Sequence, residues 1–249
     1  MLFDDAFLRK LETLRFAVRR SIVGRREGER QTQRRGGSSG FISHRSYTQG
    51  DEFRAIDWNL YGRLGLLYVK EFAKEESLPV RLFIDPSRSM APKFDFARLL
   101  GAALALVANQ EGNSIPLREL EALELGSSFV LPTVGRGLAI VVSDLWDESL
   151  RPSLSRLHCE TAVIHVLSPG ETEPALEGKV RMVDAESGES CTRFVGEEER
   201  AEYRRLLALH CAEWKRWCFD RDVNYLRCTS ATPVEEVVKV YLREAGVLE

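Results

Sequence analysis

Apolar positions along this chain follow two rhythms. Val80 to Ile84 (VRLFI), Leu138 to Val142 (LAIVV), Thr161 to Leu167 (TAVIHVL) and Val223 to Cys228 are short runs rich in β-branched and aromatic residues, the pattern of buried strands. Phe94 to Gln110 instead repeats its apolar residues at helical spacing (Phe94, Ala97, Leu100, Leu104, Val107). Glu197 to Phe219 predicts a second long helix, opening on acids and closing on basic and aromatic residues, the order the helix dipole favours. Pro233 opens a last helix, Val234 to Ala245. Ahead of the first strand, Phe3 to Val23 has the spacing of an amphipathic helix of about five turns, and Leu66 to Phe72 has strand composition. Two hairpins complete the pattern: Lys179 to Val195 around Ser187-Gly188, and Ile115 to Leu125 with Ser128 to Leu131, turning at Gly126-Ser127.

At 249 residues the chain is long enough for one large α/β domain, or a medium one with an appended piece. The longest apolar run, Leu99 to Ala108, is ten residues, a core helix and not a membrane span. The N-terminus has no apolar core or small-residue cleavage site, which argues against secretion. Its five cysteines are odd in number and form no C-x-x-C pair, so neither a disulfide framework nor a zinc ribbon is expected and the compartment reads as reducing cytoplasm. Charge is uneven: residues 1–50 hold eleven Lys or Arg against five Asp or Glu, so a basic N-terminal piece precedes an acidic body. The arginine-rich stretch Arg25 to Gly40 has no interleaved aromatics for base stacking and reads as a solvated loop, not a nucleic-acid site.

Candidate chemistry concentrates where the strand Val80 to Ile84 stops. Asp85, Ser87 and Ser89 follow at alternate positions, with Pro86 barring further ladder pairing, so a carboxylate and two hydroxyls are delivered at a strand's C-terminal end. Such oxygens suit a hard divalent ion, Mg²⁺ or Mn²⁺. The same residues would serve as a strand end and helix caps, and the pattern alone does not choose. Asp144 ends the strand LAIVVSD in a similar way, with Asp147 a competing acid, and both strand-end acids are expected to converge. His165, alone among apolar residues, reads as a core histidine. Between Phe41 and Ser77 an unusually dense set of Arg, Asp, Tyr and Trp reads as self-satisfying pairs that pin an irregular segment. G-x-S-x-G, H-E-x-x-H and P-loop motifs are absent, and a phosphoaspartate enzyme would need a second Asp where Ser87 stands.

The series Arg45-x-Tyr47-x-x-Gly50-Asp51-x-x-Arg54-x-Ile56-Asp57-Trp58, then Arg63, Val69-Lys70 and Glu76, then Ile84-Asp85-x-Ser87-x-Ser89-Met90, resembles the bacterial DUF58 family, whose members contain a von Willebrand factor A-like domain. Ser143-Asp144 and Val183-Asp184-Ala185-Glu186-x-Gly188-Glu189 agree with it. The resemblance implies a Rossmann-like α/β fold, a mostly parallel central sheet flanked by helices, over residues 79–249, preceded over 1–78 by a helix, a basic loop and a β-rich extension. It implies a metal-ion-dependent adhesion site at the Asp85, Ser87, Ser89 loop with Asp144, and association with MoxR-type AAA+ ATPases. An adhesion site also takes a threonine from a loop ahead of a helix. Here only six residues separate Leu131 from Leu138, too few for a crossover helix, and Thr133 is the threonine available. That shortening leaves either a weakened site or a Thr133 placed by another route.

The expectation is therefore a cytoplasmic, non-catalytic protein-interaction module. Its site would hold Mg²⁺ or Mn²⁺ on Asp85, Ser87, Ser89, Asp144 and Thr133, and its partner would be a MoxR-type ATPase or that ATPase's client, in assembly or maturation of a complex. The alternatives are a metal-free scaffold with a degenerate site and, last, a metal-dependent phosphatase.

Overall fold

The computed structural model describes residues 5–16, 41–51, 53–72, 79–110, 112–113, 115–116, 122–126 and 129–249. The basic loop and the second half of the expected N-terminal helix lie outside them. Two compact units emerge, residues 1–20 with 78–249, and residues 21–77. Thus the N-terminal helix belongs with the larger unit, not with the extension that follows it. That helix, α1 (Asp5–Leu11), is also shorter than its periodicity suggests. After it the chain turns, and Phe16 bridges Leu248 with paired Arg15–Glu249 backbone bonds; pairing with the distant C-terminus replaces further helix.

In the smaller unit β1 (Phe41–Ser46) pairs antiparallel with β2 (Tyr68–Phe72), and α2 (Trp58–Leu64) lies between them in sequence. FISHRS lacks an apolar alternation, so β1 has no signal of its own and is ordered by its partner. Arg45 forks onto Asp51 at 3.0 and 2.8 Å, holding that carboxyl below its ordinary range. Asp57 caps α2, accepting from the amides of Asn59 and Leu60, with His44 Nε2 2.9 Å from its other oxygen. Within this unit the dense polar stretch holds itself together by such pairs. Asp57→Ala is expected to cost about 1 kcal/mol through the lost cap, measured as a shift in urea midpoint at unchanged slope.

The larger unit is a mixed α/β body around four parallel strands in the order β3 (Val80–Ile84), β4 (Leu138–Ser143), β5 (Glu160–Leu167), β8 (Asn224–Thr229). Between them run α3 (Phe94–Gln110), α4 (Leu150–Ser155), α5 (Pro169–Thr172), the exposed hairpin β6 (Gly178–Val183) and β7 (Ser190–Val195), and α6 (Glu197–Phe219). Residues 234–244 are helical, with a π turn at Val237–Tyr241. Of the hairpin read over 115–131, residues 117–121 and 127–128 lie outside the described residues, and the described remainder forms no strand.

Side chains two apart on a strand share a face, and that alternation sorts the core. Val80, Ile84, Leu138, Ile140 and Val142 pack with α1, α3 and the C-terminal helical segment. Val141 and Val163 pack with Leu150 and Leu154 of α4 and Trp214 of α6 on the other face. The chain thus leaves β3 toward one face and β4 toward the other. Their following loops diverge, and a crevice opens at the C-terminal ends of these two strands.

Candidate functional site

Strand parity decides what stands at that crevice. Ile84 pairs with Val142, so the next rung sets Asp85 beside Ser143, joined by the Asp85 amide donating to Val142 O at 2.9 Å. Ser143 Oγ donates to Asp85 Oδ2 at 2.6 Å, and the Ser87 amide donates to Asp85 Oδ1 at 2.9 Å. Burial raises the Asp85 pKa, the Ser143 and Ser87 bonds pull it partly back, and the nearby Asp144 charge adds to the net rise. The carboxylate charge is therefore penalised by its desolvation and only partly supported by these two hydrogen bonds. Asp85→Asn, which removes that charge, is expected to leave the melting temperature unchanged or raised, measured by calorimetric scan.

Ser87 Oγ and Ser89 Oγ lie 3.1 Å apart, and the Ser89 amide donates to Glu186 Oε1 at 2.9 Å, from the turn between β6 and β7. Asp184 shapes that turn by accepting from the Glu186 and Ser187 amides. Together with Trp146, Asp147 and Glu171 these groups line an open cleft of about 940 Å³. Asp184 and Glu186 are both exposed, and Glu186 also reaches the Ser89 amide.

Asp144 takes the opposite parity from Ser143 and does not line the cleft. It is 1 % exposed, and its Oδ2 lies 3.0 Å from Lys93 Nζ, itself fully buried. Lys93 also donates to Glu171 Oε1 at 2.5 Å, and the Trp146 indole reaches that oxygen at 3.3 Å. Glu171 closes a capping box with Ser168. Burial would raise the Glu171 pKa, but the Lys93 ammonium and the Ser168 bonds outweigh it and leave the carboxyl below its ordinary value. Thr133 is exposed on the segment beside Val134, whose carbonyl accepts from His158 just ahead of β5, and it is not among the cleft residues.

His165 continues the Asp85–Ser143 rung inward, paired with Ser143 in register. It is buried, with Nδ1 2.8 Å from the Tyr225 hydroxyl. Burial, then the neighbouring His210 and Arg227, pushes its pKa down to about 3, so the ring is neutral.

Adjacent ligands of an octahedral ion bound at about 2.1 Å stand roughly 3 Å apart. The spacing of the Ser87 and Ser89 hydroxyls matches such an edge, and Asp85 lies behind them. These three residues fit a hard ion that keeps several waters. The five-residue set does not: Asp144 is engaged by Lys93 and Thr133 lies elsewhere. Among the described residues no group of three or more His, Cys, Asp or Glu side chains is arranged to hold a metal.

The family model described as "Protein of unknown function DUF58" matches residues 43–125 and 121–213. The chain belongs to the DUF58 family. The matched span takes in every residue of this DUF58 cleft, as well as Lys93 and Asp144 beneath it. Uncharacterized proteins of Mycobacterium bovis and of Mycobacterium tuberculosis are each 24% identical over 260 residues, covering 86% of this chain and 81% of theirs. No solved structure matches it. Among the described residues of this DUF58 chain no helix is long and apolar enough to cross a membrane, and all five cysteines are free.

Proposed function

We propose that this DUF58 chain is a non-catalytic interaction module of von Willebrand factor A-like type, which docks a partner protein in the cleft at the C-terminal ends of β3 and β4. The observation that carries it is the convergence there of Asp85, Ser87 and Ser89 with the hairpin turn at Asp184 and Glu186, polar groups presented on an open surface. Among the described lining residues no histidine or lysine stands beside the serine hydroxyls as a base; those hydroxyls lie against each other instead. By the resemblance, the partner is a MoxR-type AAA+ ATPase or its client, and the task is assembly or maturation of another complex.

A second reading adds an ion, favoured by the 3.1 Å spacing of the two serine hydroxyls. Mg²⁺ or Mn²⁺ would be held by Asp85, Ser87 and Ser89, and would supply positive charge for a partner carboxylate. Capture of the MoxR-type ATPase by the immobilised chain, with and without a chelator, separates the two. Loss of capture in Ser87→Arg is expected in both; loss on chelation is expected only with the ion. Capture that Ser87→Arg does not disturb would remove the cleft from the mechanism.

A further inference from the structure

Among the described residues Lys93 is the one buried lysine, and it sits where a lysine is doubly disfavoured. Its side chain is fully buried, and it immediately precedes Phe94 at the start of the 17-residue helix α3, the positive pole of the dipole. What offsets both penalties is a pair of carboxylates from two other elements, Asp144 after β4 and Glu171 in α5. Two converging carboxylates around one buried cation is the arrangement a divalent ion would make.

We infer that Lys93 is a built-in cation that takes the place of a metal between Asp144 and Glu171, and that Asp144 is a strut beneath the cleft and not an ion ligand. The ammonium ties the β4 loop, the start of α3 and α5 together without any exogenous ion. It leaves Asp144 Oδ2 with no hydrogen bond and only this ion pair for compensation. Glu171, sharing the same ammonium, also accepts from Trp146, so the tie sets the cleft wall formed by that indole. A consequence follows for Lys93→Met: the two acids, deprived of their cation, become a site for a divalent ion. This goes beyond the docking proposal, since it concerns what holds the cleft together and not what enters it.

The test is Mn²⁺ binding by the full chain, followed by loss of the free-ion electron paramagnetic resonance signal, alongside thermal melts. A chelator is expected to shift the melts of wild type and Asp144→Asn alike, and Asp144→Asn to bind whatever Mn²⁺ the wild type binds with the same affinity. Lys93→Met is expected to melt lower, to be partly restored by Mn²⁺, and to lose that restoration when combined with Asp144→Asn. A loss of about tenfold or more in Mn²⁺ affinity in Asp144→Asn, the scale of removing a ligand's support, would overturn the inference. So would a chelator shift of the wild-type melt that Asp144→Asn loses, or a Lys93→Met melt that Mn²⁺ does not raise. Should Lys93→Met not fold, the chelator melt and Asp144→Asn still decide. None of these readouts involves the partner, so failure of docking and failure of this inference remain distinct.

Discussion

Lys93→Met is expected to lower the unfolding free energy by about 3–5 kcal/mol, the cost of leaving one side of a buried ion pair uncompensated. Both members are out of water, Lys93 at 0 % and Asp144 at 1 % side-chain exposure, so solvent does not replace the lost partner. The deficit depends on pH in a definite sense. Folding holds Glu171 below its ordinary value of 4.5, so its contribution is present above that value and fades as pH falls through the lower folded one. Much of that contribution comes from Lys93. The gap between wild type and Lys93→Met should therefore be widest near neutrality and narrow in acid, as Glu171 becomes protonated. Urea titrations at several pH values check it. A gap that widens as pH falls would contradict the pairing.

Gly137→Ala is expected to cost at least about 3 kcal/mol, from strain and a backbone clash together. Gly137 has φ +101°, a conformation that L residues with a Cβ avoid, and an added Cβ would lie 2.0 Å from the Pro79 carbonyl oxygen. That oxygen accepts from the Leu138 amide at 3.0 Å, the bond that starts the β3–β4 ladder. Backbone cannot step aside without loosening the pair of strands that end at the cleft. Gly101→Ala is the control: its Cβ would meet the Ile84 Cδ1 at 2.6 Å, the end of a side chain that can rotate. Gly137→Ala should lose far more than Gly101→Ala in the same denaturation series.

Most of the larger unit was legible because its elements carry local period. Val80 to Ile84, Leu138 to Val142 and the two long helices declare themselves through side chains a few residues apart, and Asp85, Ser87 and Ser89 stand out as a motif. The expected convergence of Asp85 with Asp144 came from treating RLFID and LAIVVSD as equivalent endings. They are offset by one residue: the rung that holds Asp85 holds Ser143, and a shift of one on a strand exchanges faces. Counting residues from each strand's start would have shown it only with the pairing register known. Lys93 and Glu171 are 78 residues apart, and Ser89 and Glu186 are 97 apart, so no local spacing could connect them. The short α1 has the same cause, since Phe16 is taken up by Leu248 at the far end of the chain.

Hydrogen–deuterium exchange of the full chain, alone and with the proposed partner, a MoxR-type ATPase, tests most directly whether the cleft is the docking surface. Protection is expected in peptides covering Ser87 to Met90, Trp146 to Asp147 and Asp184 to Ser187, which border the cleft from three elements. Binding that leaves all three unprotected, while protecting peptides elsewhere, would contradict it.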